Sequence, residues 1–143
     1  MAAADQQVHE VVEGGGWAAA DIAVLGEPHG FRKIRRGLGV QEMGMNAIVV
    51  PAGFESGFHF HDEQEEVYFV HRGMIEMDFG DGTTVRLAEG GVARVDAATR
   101  RRVRNVGEGD AVYVVVGAKG GYVGRDGRLP EGEERVTRPG DSQ

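Results

Sequence analysis

His59 and His61 stand two residues apart in the segment Gly57-Phe58-His59-Phe60-His61-Asp62-Glu63-Gln64-Glu65-Glu66-Val67-Tyr68-Phe69-Val70-His71. In a strand the two imidazoles point the same way, with Cα atoms about 6.6 Å apart. So placed, they can converge on one cation. A carboxylate from a neighbouring strand would complete a two-histidine, one-carboxylate face that leaves coordination positions open on Fe, Mn, Ni or Zn. The plainer alternative is a solvated strand end on an acidic edge, and the pair alone does not separate the two. Phe58 and Phe60 alternate with the histidines and are expected to face away from them, into the core or a subunit contact.

Strands must position these groups. Apolar residues recur with period two in short runs broken by Gly, Asp and Pro, the pattern of strands and hairpins. Met45 to Val50 ends at Pro51, Val67 to Val70 ends before Gly73, and Met74 to Phe79 ends at the turn Gly80-Asp81-Gly82. Val85 to Leu87, Val92 to Val95, Arg101 to Val106 and Ala111 to Val116 follow. Seven short strands at this spacing predict an all-β sandwich or barrel, not a parallel α/β sheet. Only residues 17–25 read as a helical turn or two.

The length of 143 residues suits one domain with a core of its own. Residues 1–39 read as an N-terminal arm with the first strands, 40–117 as the barrel core and 118–143 as a Gly-rich polar tail or flap. Gly 24 implies many tight turns, and Cys 0 leaves neither disulfides nor thiolate metal sites. With 16 basic and 23 acidic side chains the formal charge is −7, which argues against nucleic acid or an anionic membrane as partner. The start, MAAADQQVHEVVEGGG, carries no basic and apolar leader pattern, and nowhere do 18 apolar residues run together. A cytoplasmic protein is expected. Gly14-Gly15-Gly16 and Gly37-Leu38-Gly39 lack the Lys-Ser/Thr and helix of a phosphate loop. No Ser/His/Asp or Cys/His arrangement stands out for covalent catalysis.

Gly53, His59, His61, Glu66 and Gly73 together resemble the first signature of the cupin superfamily, Gly-x5-His-x-His-x3,4-Glu-x6-Gly, with every fixed position matched. The resemblance covers about residues 40–117. It implies a double-stranded β-helix, or jelly-roll, barrel with metal ligands pointing into its mouth, often as a homodimer. The six residues before Gly73 select Glu66 over Glu63 and Glu65, so the implied ligands are His59, His61 and Glu66. Tyr68 and Val70 share the interior face of Glu66 by alternation. His71 falls on the other face, and His9 and His29 read as lone surface or loop histidines. The apolar face of Ile75, Met77 and Phe79 is a candidate subunit contact.

The second cupin signature, Gly-x5-Pro-x-Gly-x2-His-x3-Asn, is only partly kept. Gly90 and Asn105 hold their places, but Asp96 and Ala98 replace the Pro and Gly, and Arg101 stands where the fourth ligand His would be. Parity sends Arg101 inward with Val103 and Asn105, and leaves Arg100, Arg102 and Arg104 as a solvated stripe. Charges of +1 and +2 about 5 Å apart repel by about 7 kcal/mol at an effective dielectric near 20, so Arg101 bears directly on any metal. Three arrangements stay open. Arg101 turns up to solvent, or pairs with Glu66 in place of a metal, or holds an anionic substrate between itself and the metal. The expected ligand is a small anionic molecule contacted by Arg101 and Tyr68. The expected function is metal-dependent dioxygenase-, isomerase- or lyase-like chemistry, and its alternatives are a non-catalytic ligand-binding or sensor barrel and a structural barrel with a decayed site.

Overall fold

Alternation decides which side chains go inside. Along the strand Glu65–Arg72, residues 66, 68 and 70 are buried while 65, 67 and 69 are exposed. Along Arg101–Asn105, residues 101, 103 and 105 are buried and the two between them are not. The computed structural model describes residues 7–130. Its elements are β1 (Val12–Gly14), β2 (Trp17–Ala19), β3 (Gly30–Arg32), α1 (Ile34–Leu38), β4 (Gly44–Val50), β5 (Phe60–His61), β6 (Glu65–Arg72), β7 (Ile75–Phe79), β8 (Thr84–Leu87), β9 (Val92–Val95), β10 (Arg101–Asn105), β11 (Ala111–Ala118) and β12 (Gly127–Arg128). A five-stranded sheet runs β3-β4-β11-β6-β9 and a three-stranded one β10-β7-β8, with two-stranded ribbons β1-β2 and β12-β5. The pairing is antiparallel throughout, as the all-β reading requires.

Both larger sheets send side chains into one core. Ile48, Tyr68, Val70 and Tyr113 from the first meet Ile75, Met77 and Val103 from the second. Ile75 and Met77 therefore face inward and are fully buried, with Phe79 packed half-buried against the same core, where a subunit contact was expected. Asn105, at the end of β10, ties the turns together. Its side-chain amide donates to the carbonyls of Val50 (3.0 Å) and Gly109 (2.9 Å), and its oxygen accepts from the Gly107 N–H at 2.9 Å. Asn105→Ala should cost about 1–3 kcal/mol in a denaturant titration, because it strands these buried groups. An unchanged midpoint would contradict that role.

The start of the chain departs from expectation. The span 17–25 holds β2 and one turn of 3-10 helix, Ile22–Val24, capped by the Asp21 carboxylate on the Ala23 N–H. The α-helix comes later, at Ile34–Leu38, and ends at Gly39 with φ 73°. Five residues are too few to register as an amphipathic period. Ile34 nonetheless anchors the helix on Ala47, Val49 and Val112, with Ile22, Leu25 and Leu38 around it.

The arginine stripe is also not simply solvated. Asp78 accepts from Arg102 Nε at 2.7 Å, Arg104 Nε at 2.8 Å and Thr84 Oγ1 at 2.6 Å. Glu55 takes the other end of Arg102, and Glu76 bridges Arg104 and Arg86. Phe58 lies under the Arg102 guanidinium, 4.8 Å from it. Carboxylates from β7 and from Glu55, on the segment before β5, supply these partners, and a one-strand reading of parity does not show them.

Candidate metal centre

Three local features bring the two histidines to β6. His59 and Arg101 exchange backbone hydrogen bonds, His59 N–H to Arg101 O at 2.9 Å and Arg101 N–H to His59 O at 3.0 Å. His61 donates its backbone N–H to Ala97 at 2.8 Å. Glu66 enters from β6 on the buried parity. The His59 and His61 rings then meet edge to face with centroids 5.2 Å apart. One ligand atom from each of His59, His61 and Glu66 lies within 4.8 Å of the others, a cluster that can hold a metal ion.

Electrostatics concentrate on one oxygen. Glu66 Oε1 accepts from Tyr68 Oη at 2.8 Å and Arg101 Nη2 at 2.8 Å, and His61 Nε2 stands 3.3 Å away. Burial would raise the Glu66 carboxyl, but His61 and Arg101 outweigh it and hold its pKa at about 2. Burial likewise opposes charge on His61, yet Glu66 and Asp126 raise its pKa overall. Burial and the Glu66 charge push the Tyr68 phenol upward, so it serves as a hydrogen-bond donor and not as a base. The environment therefore favours an ionised carboxylate with a cation at His61, and a metal competes with a proton for that place. His61 Nε2 is buried without a hydrogen-bond partner among the described residues. An orphaned imidazole nitrogen beside an ionised carboxylate and a second imidazole is the donor set a divalent transition metal requires.

Arg101 does not reach a ligand. It is 0% exposed, and its Nη1 donates to the carbonyls of Thr99 (2.5 Å) and Ala97 (3.1 Å) while Nη2 takes Glu66. It has no exposed surface, and its charged partner is Glu66. That pair does not bar a metal, because a carboxylate has two oxygens and a ligating carboxylate is commonly held by a hydrogen-bond donor.

The cluster borders a cavity of about 590 Å³. Phe31, Ile48, Tyr68, Tyr113 and Val115 give it apolar walls. Lys33, Arg35, Arg36, Arg125 and Arg128 also line it, against Glu66 as the only carboxylate among the described lining residues. Arg35 packs 4.0 Å over the Tyr122 ring, and Arg128 pairs with Asp62 at 2.7 Å. A chain of net charge −7 thus turns a cationic surface to this one cavity.

Asp126 and Gln64 belong to the same cluster, and the sequence reading passed over both. Asp126 Oδ1 lies 2.8 Å from His61 Nδ1, and its Oδ2 accepts from the backbone N–H groups of Glu63 and Gln64. It comes from the segment after residue 117, which returns to pair β12 with β5. Residues 131–143 of the expected tail, like 1–6 of the expected arm, lie outside the described residues. His71 is exposed as expected, while His29 pairs with Asp110 at 3.1 Å.

Residues 46–117 match the family model described as the cupin domain. No curated protein matches the sequence. Among solved structures, an uncharacterized conserved protein with a double-stranded β-helix domain from Klebsiella pneumoniae aligns at 18% identity and TM-score 0.64, covering 79% of this chain and 96% of that one. A DMSP lyase from Ruegeria pomeroyi aligns at 22% identity and TM-score 0.56, covering 64% of this chain and 45% of the lyase. A putative sugar phosphate isomerase from Acidithiobacillus ferrooxidans aligns at 22% identity and TM-score 0.55, covering 61% of this chain and 56% of that one. The chain spans about half the length of those two proteins, and likeness at these identities shows the fold alone.

Proposed function

The chain belongs to the cupin family, and from that premise we propose that it is a small metal-dependent cupin. His59, His61 and Glu66 hold one divalent transition metal, and the adjoining cavity takes a small anionic molecule. The observation that carries this reading is the buried His61 Nε2, without a hydrogen bond among the described residues, beside Glu66 and His59 at a cavity lined by five cations and one carboxylate. Fe, Mn, Ni and Zn suit two imidazoles and one carboxylate. When bound, such a metal polarises a ligand oxygen as a Lewis acid or serves oxygen chemistry.

The chain's own residues divide the remaining work. Arg101 and Tyr68 hold Glu66 ionised and fixed, and the Tyr68 ring forms part of the ligand's wall. Lys33, Arg35, Arg36 and Arg125 attract and orient the anion, a task the sequence reading gave to Arg101. Lyase-, isomerase- or dioxygenase-like turnover is the proposed reaction class. The isomerase among the structural neighbours is named for an anionic substrate, a sugar phosphate. Assaying small carboxylates and phosphate esters with and without added metal tests this, and turnover that ignores metal would overturn it.

A second reading is a non-catalytic binding barrel in which Arg101 and a protonated His61 take the metal's place. The Arg101–Glu66 pair at 2.8 Å favours it. Absence of metal uptake, with retained anion binding, would select it.

Anion recognition gives its own prediction. A hydrogen bond to a charged group contributes about 1.5–3 kcal/mol, so Arg35→Ala should weaken calorimetric binding of malonate about tenfold or more. Equal binding by both proteins would remove the rim from the site. The homodimer is proposed on a different face from the one first expected. Val67 and Phe69 of β6 and Val92 of β9 are exposed apolar neighbours, with Phe69 and Val92 in register. No helix among the described residues is long and apolar enough to cross a membrane, and a cytoplasmic setting is proposed from the sequence.

A further inference from the structure

The strap after β11 does two things at once. Tyr122, Val123, Arg125, Arg128 and Leu129 line the cavity, and between them Asp126 turns the other way and is buried, 9% exposed, against His61. The strap is seated closely, because Gly127 pairs with His61 and a Cβ there would lie 3.4 Å from the ring's Cε1. We propose that Asp126 is a positioning residue that holds His61 as its Nδ1–H tautomer, so that the Nε2 lone pair faces the place shared with His59 and Glu66.

Proton counting carries the argument. Asp126 Oδ2 accepts two backbone N–H bonds, from Glu63 at 2.8 Å and Gln64 at 3.0 Å. Its Oδ1 accepts from the Gln64 side-chain amide at 2.5 Å and faces His61 Nδ1 at 2.8 Å, both shorter than the 3.2 Å between that amide nitrogen and Nδ1. A carboxylate in this cradle presents only lone pairs, and a bare Nδ1 lone pair at that distance would repel it. Nδ1 therefore carries a proton and donates it. Nε2 also faces a carboxylate oxygen, Glu66 Oε1, but at 3.3 Å and without a hydrogen bond, so the shorter Asp126 contact takes the proton of the neutral ring and the remaining lone pair sits on the buried Nε2. An outer carboxylate that fixes a ligand imidazole in this way commonly tunes metal affinity by about 10- to 100-fold. Because Asp126 sits on the strap, it also ties the cationic cavity wall to the ring.

This inference rests on the proposed metal site for its consequence, though not for the tautomer itself. Asp126→Asn is the informative variant. The backbone N–H groups of Glu63 and Gln64 claim the amide's only oxygen, which turns the NH2 toward His61. Nδ1 becomes an acceptor and the ring proton moves to Nε2. Long-range ¹H–¹⁵N spectra of the metal-free protein in alkaline buffer, where the ring is neutral, should show the Nδ1–H form in the wild type and the Nε2–H form in Asp126→Asn. Zinc affinity should fall by roughly 10- to 100-fold in that variant. Gln64→Ala, which leaves the Asp126 contact in place, should keep the wild-type tautomer. An Nε2–H wild type, or an Asp126→Asn spectrum matching the wild type, would overturn the assignment, and the wild-type spectrum decides it even where the variant fails to fold. Unchanged zinc affinity despite the switched tautomer would overturn the consequence for the metal. A wild type that takes up no zinc would defeat the metal site alone, with the tautomer still deciding the role of Asp126.

Discussion

Arg101→Ala should lower the free energy of unfolding by about 3–5 kcal/mol, read from denaturant midpoints in the metal-free protein. The guanidinium is 0% exposed and joins Glu66 at 2.8 Å to the loop carbonyls of Ala97 and Thr99 at 3.1 and 2.5 Å. Truncation leaves a buried carboxylate without its permanent cation, takes a donor from each of two carbonyls and opens a void where the side chain lay. A domain of this size is stable by about 5–15 kcal/mol, so the loss is a large share of the total. Arg94, 63% exposed and paired with Glu65 at 3.5 Å, supplies the comparison, and its removal should cost under about 1 kcal/mol. Saturating zinc should return part of the loss in Arg101→Ala, since a metal gives Glu66 a cation again and binds only the folded chain. Equal midpoints for the Arg101 and Arg94 variants would show that the buried pair does not hold the barrel mouth together.

Removing one ligand should cost metal affinity far more than it costs stability. His59 is the ligand to test, because Glu66→Gln would also strand Arg101 and His61 variants would also strand Asp126. If a zinc site's binding energy of roughly 10–16 kcal/mol is shared over about four ligands, one imidazole accounts for about 3 kcal/mol, or more than 100-fold in affinity. His59→Ala should therefore bind zinc at least about 100-fold more weakly in calorimetry, while its unfolding midpoint stays close to that of the parent. Affinity retained within a few-fold would take His59 out of the site.

How much of this could be read beforehand differs by element. The barrel strands and their inward parity were legible, because half-buried antiparallel strands write burial into alternate residues, as residues 66, 68 and 70 and residues 101, 103 and 105 show. His59, His61 and Glu66 were legible because they lie within eight positions and match a spaced pattern. Arg101 was placed on the right face, but its partners were not legible. Its partners, Glu66 and the carbonyls of Ala97 and Thr99, are set by how the loop before β10 folds under it. Asp126 was invisible. It is 65 positions from His61, in a Gly- and charge-rich stretch without periodicity, and only the β12–β5 pairing brings it back. Arg35 and Arg36 were missed for a related reason, since a five-residue helix carries no detectable period and its burial rests on Ile34 alone. Ile75, Met77 and Phe79 were rightly seen as one apolar face, but alternation cannot say whether such a face meets the core or another subunit.

The most direct test of the metal site is the metal content of the tag-free protein, purified without chelator and measured by elemental mass spectrometry. Close to one equivalent of a single divalent transition metal per chain is expected, lost in His59→Ala. A protein that carries none, and takes up none of Fe, Mn, Ni or Zn on dialysis, would contradict the metal site and leave Glu66 served by Arg101 and His61 alone.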